Sequence, residues 1–136
     1  MMEPSRQAGP TIVPYFGYRD AAGALRWLAD AFGFVVKQEF SAPDGAVMNA
    51  EMTVGGGVVM IGTGEPPPEG DPSATSPTGH GIYVVVDDVD AHHERAEAAG
   101  ARIVYGPEDT DFGTRRYRAL DPEGYEWSFG TYSPSP

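Results

Sequence analysis

Two stretches of this chain share one pattern of apolar and polar positions. Ile82 to Val86 is a continuous, largely β-branched apolar run, as expected of a strand buried on both faces. Asp87 and Asp88 end it and offer a carboxylate to the N-terminus of a following helix, which Gly100 can close in the left-handed conformation. Earlier, Ile12 to Tyr18 reads as a strand, Asp20 as a helix start and Gly33 as its stop. Between Asp20 and Gly33, Leu25, Leu28 and Phe32 recur at three- and four-residue spacing, which gives the helix an apolar face. Aligning Asp20 with Asp87 gives equal spacings to the closing glycines, so the chain reads as a tandem duplication.

Each half continues with three more strands. In the first half they fall at Phe34 to Ala42, at the alternating run Ala46 to Val54, and at Val58 to Ile61. Met48, Ala50, Met52 and Val54 are expected on one face, and Val47, Asn49, Glu51 and Thr53 on the other. In the second half they fall at Arg102 to Tyr105, Arg115 to Leu120 and Tyr125 to Tyr132. Pro107 to Gly113 reads as an acidic loop, and RRYRAL as an exposed-edge or cavity strand. The predicted division is a loose arm over 1–10, a first βαβββ module over 11–62, a Pro-rich linker over 63–78, a second module over 79–132, and a loose tail over 133–136. The fold class is α+β: a curved, largely antiparallel sheet around a cavity, with the helices on its outer face.

Composition narrows the chemistry. The absence of cysteine removes disulfides, thiol nucleophiles and thiolate metal sites. There is no G-x-S-x-G elbow, and Gly55-Gly56-Gly57 lacks the Lys and helix of a phosphate loop. A net charge of −11 repels nucleic acid and anionic membranes and favours cationic ligands. No stretch approaches a membrane span and the N-terminus has no apolar leader, so a cytoplasmic protein is expected. His92 and His93 are adjacent on a helix, point about 100° apart and cannot chelate together.

At this point a resemblance emerges. The R-D…FGF pattern of the first half, VDDVDAHHERAEAAGA, and GTRRYRALDPEGYEWSFGTY resemble the vicinal oxygen chelate superfamily, which groups glyoxalase I, extradiol dioxygenases and bleomycin-resistance proteins. The likeness covers Thr11 to Tyr132 and leans toward the glyoxalase/bleomycin-resistance, PhnB-like branch. It implies one metal ligand from the first and last strand of each module. With Asp87 as reference, those positions are His80 and Ser128 in the second module, with Glu126 two residues from the latter, and Val13 and Met60 in the first. One donor of the usual type among four implies no cofactor and no divalent metal.

The resemblance then implies a small-molecule cavity. Its expected lining is Val13, Tyr15, Asn49, Glu51 and Met60 from the first module and His80, Ile82, Val84, Glu126 and Ser128 from the second. Phe16 and Tyr18 are expected to face the helices. Three readings stay open. One is a non-metal drug- or metabolite-binding protein, whose ligand is aromatic or cationic given Tyr15 and the acidic charge. Another is a metal-dependent lyase, isomerase or dioxygenase with His80 as one ligand, or His80 as a general base. The third is a structural or regulatory module with an empty pocket. A two-fold homodimer is the expected assembly.

Overall fold

The same local chemistry starts both helices. In a computed structural model that describes residues 9–65 and 80–134, α1 (Ala21–Phe32) is N-capped by Asp20, whose Oδ1 accepts from the Gly23 amide at 2.9 Å. In α2 (Val89–Ala98) the cap is Asp88, whose Oδ1 accepts from the Ala91 amide at 3.0 Å. Each carboxylate satisfies an amide that the first helical turn leaves unpaired and meets the positive end of the helix dipole. Gly33 and Gly100 follow the two helices with φ of 78° and 94°, a region costly for side chains with a Cβ. Among the described residues no helix is long and apolar enough to cross a membrane.

Hydrogen bonding organises the strands into two sheets of four, one per module. The first contains β1 (Tyr15–Tyr18), β2 (Val35–Ser41), β3 (Val47–Val54) and β4 (Gly57–Thr63), in the order β1-β4-β3-β2. The second contains β5 (Ile82–Val85), β6 (Arg102–Asp109), β7 (Arg115–Leu120) and β8 (Glu126–Gly130), in the order β5-β8-β7-β6. The first strand of each module runs parallel to its neighbour and the other pairings are antiparallel. Two compact units divide the chain. The first runs up to Pro66 without Asp30–Phe32; the second takes those three residues and the chain from Pro67 onward. The division falls within the predicted 63–78 linker, of which residues 66–79 lie outside the described residues, as do most of the arm and the last two residues of the tail.

The departures from the expected boundaries have local causes. β1 begins at Tyr15 rather than Ile12, because Pro14 has no N–H to pair, although its carbonyl still accepts from the Met60 amide at 2.9 Å. β6 runs on to Asp109, beyond the expected Tyr105, because Glu108 and Asp109 pair across the ladder with Arg116 and Arg115. Pro107 is tolerated there because β6 is an edge strand with shifts in its pairing. The acidic loop shortens to a turn in which the Thr110 amide donates to the Thr114 carbonyl at 2.8 Å. β7 is an interior strand, not an edge. In β3 the expected alternation holds from Ala50 to Met52 but fails at its start, where Val47 is buried and Met48 is 65% exposed. Phe40 lies opposite Asn49 and Ser41 opposite Val47, so Met48 is an extra residue in β3 and the shift resets the phase there.

The turn between β7 and β8 is built around one buried carboxylate. Asp121 is 1% exposed. Its Oδ1 accepts from the amides of Glu123 (3.0 Å) and Tyr125 (3.1 Å), and its Oδ2 from the Trp127 indole N–H (3.0 Å). The Asp121 amide and carbonyl also close the turn, to the Tyr125 carbonyl and from the Gly124 amide. Gly124 supplies the positive φ of 92° that this geometry needs. Trp127, fully buried, rests against the Phe32 ring at 5.8 Å, within the second unit.

Asp121→Ala strands three donors, two of them in buried surroundings, and is expected to cost about 3–5 kcal/mol of stability. Asp121→Asn keeps one acceptor but sets an amide N–H against a neighbouring donor, and should fall between the two. Urea unfolding followed by Trp fluorescence measures both.

Candidate functional site

The face of the second sheet turned away from α2 is assembled by the pairing register. Tyr83 lies opposite Ser128, and Ser128 opposite Arg118, which is itself paired with Tyr105. These four therefore share one face, joined by Glu126 at the start of β8. Together Gly81, Ile82, Tyr83, Arg118, Glu126 and Ser128 line a cleft of about 160 Å³.

Arg118 is the hub of this cleft. Its Nε donates to Ser128 Oγ at 2.7 Å, its Nη1 stands 3.8 Å from Glu126 Oε1, and its guanidinium lies 5.3 Å from the centre of the Tyr105 ring. Ring-face attraction and the carboxylate both hold the cation in place. Glu126 is 3% exposed, so its charge is tolerated through such partners. Gly81 makes room for it: a Cβ at residue 81 would lie 3.1 Å from the Glu126 carbonyl oxygen and 3.3 Å from its Cβ and Cγ. Tyr83 lies along the sheet and donates to the Tyr132 carbonyl at 2.7 Å. It crosses Gly130, where a Cβ would stand 2.6 Å from the hydroxyl. Desolvation raises the Tyr83 pKa above its ordinary value, so the ring presents a neutral phenol.

In the first module, Tyr15, Met60 and Glu51 form a cross-strand row, with Asn49 two residues along on the same face. Tyr15 is 80% exposed and Tyr18 1%, which places them on opposite faces, as the alternation predicts. Val13 is half-buried, ahead of β1. Lys37 Nζ stands 3.8 Å from Glu51 Oε1.

The second module corrects the predicted phase. Ile82 pairs with Trp127 and Val84 with Phe129, both fully buried, so these two alternate toward the helix-facing side, although Ile82 still contributes to the cleft lining. Tyr83 and Val85 occupy the other face. The cause is the choice of reference aspartate. The N-cap is Asp88, not Asp87, so Asp20 corresponds to Asp88 and the repeat offset is one residue longer than the Asp87 alignment gives. Tyr15 opposite Met60 is then matched by Tyr83 opposite Ser128. Seven residues before each cap stand Val13 and Gly81. His80 falls one residue out of phase; it is exposed, lies ahead of β5 and does not line the cleft. Arg118, Tyr83, Tyr105 and Gly81 were missed by sequence reasoning. The alternation of Arg116 and Arg118 around buried Tyr117 was the available signal for the first of them.

His92, half-buried, packs against the core of the second unit. Its Nε2 stands 3.1 Å from the Phe32 carbonyl, which can only accept, so Nε2 carries the proton and Nδ1 accepts from the Tyr117 hydroxyl at 2.6 Å. The ring also packs on Phe129, with centroids 4.1 Å apart. Desolvation by burial lowers the His92 pKa and raises that of Tyr117, so both groups are held neutral.

Residues 14–129 match the family profile of the Glyoxalase/Bleomycin resistance protein/Dioxygenase superfamily. The chain belongs to this superfamily. It is 36% identical over 126 residues to an uncharacterised protein of Mycobacterium bovis, a match covering 89% of this chain and 82% of that one. Among solved structures it is similar to TioX from Micromonospora sp. ML1, with 32% identity, a TM-score of 0.72, and coverage of 93% and 99% of the two chains. It is also similar to the fosfomycin resistance protein FosX from Mesorhizobium loti, with 19% identity, a TM-score of 0.69, and coverage of 91% and 92%; this likeness shows the shared fold.

Within the superfamily's metal-binding frame, the corrected phase leaves Val13, Met60, Gly81 and Ser128 at the four strand positions. These residues do not fit a divalent ion: two have no donor, one offers a thioether, and one a neutral hydroxyl already engaged by Arg118. Among the described residues, no three His, Asp or Glu side chains stand together as a ligand set.

The buried imidazole makes stability depend on pH. Its folded pKa lies below the ordinary 6.5, so the unfolded chain binds the extra proton as pH falls. The stabilisation is complete above about pH 6.5 and is lost as pH falls through the lower, folded value. Thermal melts at pH 7.5 and 5.5 are expected to show this loss in the wild type and a flatter dependence in His92→Gln.

Proposed function

We propose that this superfamily member binds a small aromatic molecule and does so without a metal ion. The observation that carries the reading is the pairing of open faces rich in aromatic groups with strand positions that lack metal donors. Tyr15 is exposed on the first sheet beside Met60, Glu51 and Asn49, and Tyr83 lies along the second beside Arg118, Glu126 and Ser128. Planar rings stack on such tyrosines, and a few convergent polar groups fix orientation.

Tyr15 and the acidic charge of the chain favour an aromatic or cationic ligand. Lys37 stands near Glu51, and Arg118 near Glu126, so neither carboxylate acts as an isolated negative charge. The reading adopted is therefore an aromatic ligand with no required positive charge. The metal-dependent lyase, isomerase or dioxygenase reading rested on His80, which stands out of phase and outside the cleft.

A panel of single-ring and fused-ring aromatic fragments, screened by NMR against the labelled protein before and after chelator treatment, tests this. Binding is expected in both conditions, with shifts at residues of the open faces. Binding or turnover that appears only with an added divalent ion overturns the reading.

We also propose a two-fold homodimer. The exposed large apolar side chains Ile12, Val35, Phe40 and Phe112 support it, since a second copy can bury such surface. Sedimentation at micromolar concentration is expected to give twice the chain mass; a monomer contradicts the proposal.

A further inference from the structure

We infer that the cleft of the second module is a selectivity site for the neutral, amide-like end of an aromatic ligand, set by the Arg118–Glu126 pair. The inference rests on the aromatic-binding reading and names the ligand chemistry of one part of that site.

Size comes first. A volume of about 160 Å³ is well below the ~300–1,000 Å³ of drug-sized pockets. The cleft therefore admits a single ring with a small head group, or one end of a larger molecule. Tyr83 provides a ring wall, and Gly81, two residues before it, leaves the space beside Glu126 clear, since a Cβ there would press on Glu126.

Charge comes second. The cleft holds one guanidinium and one carboxylate, 3.8 Å apart, with the carboxylate almost wholly buried and the arginine side chain 20% exposed. An entering anion is attracted by Arg118 but meets Glu126; an entering cation meets the reverse. Either ion also loses hydration in a partly enclosed space, and neither gains a net opposite charge. A neutral planar group that both accepts and donates avoids these costs. Its carbonyl oxygen can face Arg118, which has five N–H donors, and the Ser128 hydroxyl, which accepts from Arg118 and carries a proton of its own to donate. Its N–H can face the Glu126 carboxylate. Primary amides and lactams have this pattern; carboxylates and amidinium ions lack one half of it.

Three probes of matched shape test this: benzamide, benzoate and benzamidine, titrated into the protein with amide shifts followed by NMR. In the wild type, benzamide is expected to bind about tenfold more tightly than either ion, with shifts centred on Gly81, Tyr83 and Ser128. In Glu126→Gln the arginine charge is no longer balanced, and benzoate should become the preferred probe. Arg118→Gln should reverse the preference toward benzamidine. Benzoate or benzamidine binding the wild type as tightly as benzamide overturns the inference without any variant. Absence of binding by all three probes also overturns it. Shifts confined to first-unit residues such as Tyr15 and Met60 overturn the site assigned here while leaving the aromatic-binding reading intact; failure of the wider fragment panel removes that reading as well.

Discussion

The second module depends on the carboxylate of Asp121. A two-strand turn leaves amide groups unpaired, and an indole N–H buried beneath a sheet needs an acceptor. One side chain meets both needs, and in doing so fixes where β8 starts relative to β7. Because successive residues point to opposite faces, that register decides which residues look outward. With Trp127 drawn inward to Asp121, Glu126 and Ser128 are left on the face of Arg118. The acidic turn is therefore more than a marker of the fold, since it sets the phase of the strand that carries the cleft.

Much of the architecture was legible because local chemistry and periodicity agreed. Asp20 and Gly33 bound a helix whose Leu25 and Leu28 are buried, and Gly100 follows the second helix in the conformation expected of it. Tyr15, Glu51 and Met60, named only from the family resemblance, form a cross-strand row. The second module's site was less legible. Asp87 and Asp88 are equivalent as letters, and only backbone geometry shows which one caps the helix. Choosing the first shifted the expected phase of β5 by one residue, so that Tyr83 was left out of the lining and His80 was given the position that Gly81 holds, while Ile82 lines the cleft as expected. Arg118 was invisible for another reason: an arginine alternating with buried residues reads as a solvated face until its partners across the ladder are known.

The two modules have kept one frame and filled it differently. Glu51 pairs across its sheet with Met60, as Arg118 does with Ser128, so corresponding positions carry opposite charges. Tyr15 and Tyr83, by contrast, are the same residue at corresponding positions, one widely exposed and the other tied to the Tyr132 carbonyl. The helices differ in their use as well. α2 carries a neutral histidine that joins the last turn of α1 to β7 through the Phe32 carbonyl and the Tyr117 hydroxyl, a connection for which the first module's sequence offers no counterpart.

Gly81 carries a further steric consequence. Seven places before the helix cap, any side chain larger than hydrogen would bring its Cβ close against the backbone and side chain of Glu126. Such a side chain fits only as far as Glu126 gives by a few tenths of an ångström, and Glu126 stands beside Arg118. The glycine therefore couples the entry of β5 to the ion pair beside it, so that bulk added at residue 81 is passed through Glu126 to Arg118.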